Sequence, residues 1–164
     1  MAIKCKTSTD SIKNVTAKAA DILNEEMANA LSYLGEECVK RIRENPDNWQ
    51  DQTGNLRSSI GYAVCNYGRS LFKSKFEKVI GKDGNGSTGS LQGQEYVEQL
   101  AQKYTDVYTL VVVAGMDYAE YLELCLGRDV LQGTEVWAKA EIEKVVDVFY
   151  KRAERKINAL IKAM

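Results

Sequence analysis

Three carboxylates, Asp117, Glu120 and Glu123, recur at three-residue steps and would line one side of a helical turn. Paired carboxylates hydrolyse glycosides when one stays protonated and the other ionised across a cleft. Here no second carboxylate is provided across such a cleft, and nothing sets one acid apart from another. A solvated or interface face is therefore the preferred reading. Lys82, in "GKDGNGST", raises a second possibility. A phosphate-binding loop needs its lysine directly before Ser or Thr at a helix start, but here the lysine comes first and a glycine precedes Ser87. The same residues place Asp83, Asn85 and Ser87 at alternate positions, as in a calcium loop. The glycine and glutamate that such a loop needs are replaced by Thr88 and Gln94.

The chain has no histidine. Ser-His-Asp and Cys-His pairs, imidazole metal ligands and imidazole proton transfer are thereby removed. Catalysis would have to rest on carboxylates, lysine, tyrosine or a lone cysteine. The four cysteines, Cys5, Cys38, Cys65 and Cys125, form no CxxC pair, so buried free thiols are expected rather than zinc ligands. No metal or cofactor is implied. A formal charge of -1 offers no overall basic field for DNA. Five cations in "YKRAERKINALIKAM" are expected to serve a solvated helix end instead. No apolar run reaches membrane-spanning length and no hydrophobic leader is evident, so a reducing cytoplasm is the expected setting.

The elements that would position these residues read as α+β: long N-terminal and C-terminal helices packed on one face of a small antiparallel β-sheet. The 164 residues fit one domain, 1–164. Apolar residues from Val15 to Ile42 keep to one helical face, predicting a helix from about Val15 to Glu44 that Pro46 ends. "DQTG" is turn chemistry, and the residues after it predict a half-buried strand with Ile60, Tyr62 and Val64 on one face. A reversal is expected at Gly68, then a second strand in "SLFKSKFEKVIG". Asp83 to Gly93 reads as a glycine-rich, mobile loop, followed by a short helix from Gln94 to Tyr104. "VYTLVVVAG" is the strongest strand. "MDYAEYLELCLG" predicts a helical turn followed by extended chain. Thr134 is the expected N-cap of a last helix with Glu135 in its first turn.

Two stretches then carry a more specific signal. "TGNLRSSI", Thr53 to Ile60, resembles the TG-x-L-R-x-S signature that follows the first long helix in a family of tailed-phage head–tail joining, or tail-completion, proteins. "AGMDYAEYLE", Ala114 to Glu123, resembles the same family's VG-x-x-YA-x-YVE block, where a strand ends and the chain turns across the sheet. Their order and the closing helix also match. Many members continue with Gly-Thr and a Pro-Phe pair, whereas this chain reads "LCLGRDVLQGTEV" without proline. The region from about 70 to 104 looks like an insertion.

The resemblance implies a non-catalytic component of a phage or prophage neck that assembles into a homo-oligomeric ring. Other neck or tail proteins would be its partners. It would work in the bacterial host cytoplasm during assembly and then in the virion neck or tail. Thr53 and Gly54 would set the turn into the first strand, and Leu56 would anchor it to the long helix. Arg57 would pair with a carboxylate, within the subunit or across the ring. Tyr118, Tyr121 and Glu123 would lie where the sheet meets a neighbour, since tyrosine suits protein interfaces. The alternatives are a tail terminator or other minor tail protein, a carboxylate-dependent hydrolase, or a bacterial adaptor.

Overall fold

The computed structural model describes residues 9–44 and 51–163. The order is α1 (Thr9–Glu44), α2 (Asn55–Ser58), β1 (Ile60–Asn66), β2 (Arg69–Lys73), α3 (Ser87–Lys103), β3 (Thr109–Ala114), α4 (Ala119–Leu124) and α5 (Gln132–Lys162). The fold is α+β: two long helices and a three-stranded antiparallel sheet in the order β2-β1-β3.

β1 carries the core because it is the central strand. Ile60, Tyr62 and Val64 point to the side of α1, among Leu31, Val39 and Ile42. Ala63 and Cys65 point the other way, towards Val97 and Ala101 of α3. The strand expected to be half-buried is thus buried on both faces, because α3 covers the second one. Tyr62 crosses α1 at Gly35, where a Cβ would strike its ring. Its hydroxyl donates to Glu36 Oε1 at 2.9 Å and lies 2.7 Å from Ser32 Oγ.

The reversal at Gly68 is present. Tyr67 (φ 49) and Gly68 (φ 74) both adopt left-handed angles, as a tight two-residue hairpin turn requires. β2 is shorter than expected, ending at Lys73, and its register shifts opposite Val64 and Cys65. After it Phe76 turns inward under α3 and is 7% exposed.

α1 starts six residues before the predicted Val15, since its first turns are polar and leave no periodic signal. Pro46, expected to end it, lies outside the described residues. At about 1.5 Å per residue the 36 residues of α1 span about 54 Å. α5 runs antiparallel against α1: Lys156 Nζ meets Glu26 Oε1 at 2.6 Å, Phe149 meets Tyr33, and Trp137 lies under Arg41. Every buried residue of α1 lies at or beyond Glu26. In its first half Val15, Ala19 and Ile22 are only half-buried, and α5 buries only Thr134 and Ala153.

The predicted loop from Asp83 to Gly93 is corrected. α3 begins at Ser87, so most of that stretch is helix, and Gly89, Ser90 and Gly93 are buried. These glycines let backbones approach: a Cβ on Gly93 would come within 2.6 Å of the Phe76 ring and of the Ser59 carbonyl oxygen. One on Gly89 would strike the backbone of Asn55. Composition suggested freedom where the fold needs close contact. The remainder is pinned too, with Asp83 N–H on the Gln52 carbonyl (2.8 Å) and Gly86 N–H on the Thr53 carbonyl (3.2 Å). Thr134 is not the N-cap of α5 either. Leu131 occupies that position and Thr134 is buried inside the first turn, with Glu135 beside it as expected.

Candidate functional site

The two motifs meet in space. Ile60 pairs with Ala114 across β1 and β3, and Gly115 N–H donates to the Ser59 carbonyl at 3.1 Å. Leu56, Ile60, Ala114 and Ala119 share one core cluster. Burial raises the Tyr118 phenol above its usual range, the Asp51 charge adds to this, and the Thr53 side chain opposes it.

"TGNLRSSI" is a knot rather than the first residues of a strand. Gly54 sits at φ 75, with the Val79 carbonyl where a side chain would have to go. Asn55 to Ser58 form one helical turn before β1 starts at Ile60. Leu56, 2% exposed, anchors that turn in the α1 side of the core, as expected. Asn55 Oδ1 accepts the Gly89 N–H at 3.2 Å, satisfying one of the free donors at the start of α3. Ser58 Oγ donates to the Gly54 carbonyl (2.6 Å) and accepts from Val79 N–H (2.8 Å). Ser59 Oγ donates to the Leu56 carbonyl at 2.8 Å.

Arg57 is half-buried. Its backbone N–H donates to Asp51 Oδ2 at 2.8 Å. Arg43, at the end of α1, donates from Nε to the Arg57 carbonyl (3.2 Å) and from Nη2 to the Ile60 carbonyl (2.8 Å). Burial lowers the Arg43 pKa, against the raising effect of Glu77 and Glu36. Asn55, Ser58, Ser59 and Arg43 escaped sequence reasoning. Small polar residues at a strand entry carry no signal that they bond inward, and nothing in α1 marks Arg43 as different from Arg41.

The second motif divides its work. Tyr118 and Tyr121 are 40% and 57% exposed, with Leu124 at 72% and Leu126 at 52% nearby. They form an outward apolar and aromatic patch. Glu123 instead turns inward to the start of α5, where it accepts the backbone N–H groups of Leu131 and Gln132. Asp117, Glu120, Glu123 and Glu135 share a shallow cleft along β3, of about 750 Å³. Two of the four are already engaged, Glu123 at the helix and Glu135 with Lys139 at 2.5 Å.

Among the described residues no cluster of His, Cys, Asp or Glu is arranged to hold a metal ion, and no helix is long and apolar enough to cross a membrane. Cys38 and Cys65 are free and buried, as expected of core thiols, while Cys125 is exposed. Comparison with protein-family models, with curated proteins and with solved structures finds no match.

Proposed function

We propose that this chain is a non-catalytic structural protein of a tailed phage or prophage that joins head to tail by assembling into a ring in the neck. The observation that carries the reading is the ordered pair of motifs between two long helices, joined through Ile60 and Ala114 into one corner. Such a corner suits a load-transmitting subunit. Its hydroxyls and amides are bonded to backbone, so they serve rigidity rather than a reactant. The exposed Tyr118, Tyr121 and Leu124 patch and the long α1–α5 pair offer surfaces for neighbours. Other neck or tail proteins are the partners, the host cytoplasm is the place of assembly, and no cofactor takes part.

A tail terminator or other minor tail subunit is the runner-up within the same class. The acidic cleft along β3 is the one feature that favours a carboxylate-dependent hydrolase. Mass spectrometry of gradient-purified particles tests the proposal: the chain is expected in intact virions at a copy number set by a ring. Recovery in tails alone would favour the terminator, and absence from all particles would overturn the structural role.

A further inference from the structure

The two outer strands of the sheet have opposite characters. β3 is a bare edge among the described residues. Its six residues, Thr109–Ala114, are uncharged and keep regular register against β1. Proteins ordinarily guard such an edge with a charge, a proline or a bulge. Instead it lies in a slot, with Leu100 of α3 and Tyr104 just beyond its end on one side and Leu131, Ala138 and Ile142 on the other, enclosing about 660 Å³. Leu110 and Val112 stay only partly covered there. Acids stand around the slot: Asp106 and Glu135 line it, and Asp117 and Glu120 line the adjoining cleft.

β2 has the complementary features. All five residues of this strand are exposed. It offers Leu71 and Phe72, 46% and 43% exposed, between Arg69 and Lys73, and Lys75 and Lys78 follow. Its cations and irregular register oppose pairing with a second β2, but they favour an acidic edge. Lys73 is paired with Glu98 and Lys139 with Glu135, yet both pairs are solvent-exposed and exchange at little cost.

We propose that β2 of one copy of this chain adds to the β3 edge of the next, extending the sheet from subunit to subunit. The contact rests on the ring reading above and specifies how the ring is joined. It is head-to-tail, so successive contacts close into a ring or run on as a filament. Main-chain hydrogen bonds supply the adhesion, and charge selects the partner edge.

Two variants test this, each disabling one edge: Val112→Lys places a cation in the slot, and the double change Arg69→Glu with Lys73→Glu reverses β2. Sedimentation of the unmodified chain across a concentration series is expected to pass from monomer to species larger than dimers. Each variant alone is expected to stay monomeric. Their equimolar mixture is expected to form a one-to-one dimer, because each supplies the edge the other lacks. Carbodiimide cross-linking of mixed isotopically light and heavy copies of the unmodified chain gives a second readout, independent of whether Val112→Lys folds. Inter-copy links from Lys73 or Lys75 to Asp106 or Glu135 are expected. An unmodified chain that stays monomeric, or that stops at a dimer, overturns the strand contact. Association unchanged in both variants, or links confined to α1 and α5, also overturns it while leaving a ring built through another surface.

Discussion

Glu123 holds the start of α5 in place: its Oε1 accepts the backbone N–H of Leu131 at 3.1 Å and of Gln132 at 2.5 Å. Asp129 Oδ1 accepts the N–H of Gly133 at 2.7 Å, so two carboxylates cap a helix whose own N-cap residue, Leu131, has no side-chain acceptor. The negative charge also faces the positive end of the helix dipole. Replacing Glu123 with Ala is expected to cost about 1–2 kcal/mol, and Gln, which keeps an acceptor without the charge, less. Urea unfolding of the three proteins measures both. Equal stability of all three would remove the cap from the account.

Gly93 and Phe76 give a second prediction. Gly93→Ala forces a methyl group against the Phe76 ring and the Ser59 carbonyl, so it should destabilise by about 1–3 kcal/mol despite the better helix propensity of alanine. A gain in melting temperature would mean that α3 can draw back from the sheet.

That position also shows where the sequence was legible. The long helices, the reversal at Gly68 and the strand ending in Ala114 rest on periodicity and turn chemistry, which act locally and leave a pattern. The glycines of "GSTGSLQG" do not: the same residue serves a loose loop and a tight helix–sheet contact, and only the position of Asn55, Ser59 and Phe76 decides between them. The corner was half legible. Leu56 could be placed from its motif, whereas the inward bonds of Asn55, Ser58 and Arg43 depend on partners 14 to 34 residues away. Glu123 was expected where the sheet meets a neighbour, and the bonds it makes run within the chain.

Tyr62 predicts an alkaline limit to stability. Burial pushes its phenol up to about 12; the Ser32 hydrogen bond opposes this and Glu36 adds to it. The unfolded chain ionises this tyrosine near the ordinary value of about 10. The contribution is therefore complete below pH of about 10 and is lost as pH rises towards about 12. Tyr62→Phe should flatten that part of the stability curve. Denaturant midpoints from neutral to alkaline pH would show it, and identical curves for the two proteins would contradict it.

Leu56→Ala should cost about 2–4 kcal/mol, as buried leucine truncations do. The side chain is 2% exposed and sits where the motif turn, α1 and the end of β3 meet. Thermal and chemical melts agreeing on a loss below about 1 kcal/mol would mean the corner re-collapses without it.

The proposed role in the neck is tested most directly by deleting the gene from a phage or inducible prophage found to carry it and imaging the lysate by electron microscopy. DNA-filled heads and complete but unattached tails should accumulate side by side, and adding the purified chain should restore joined, infectious particles. Complete infectious virions forming in its absence would contradict the account.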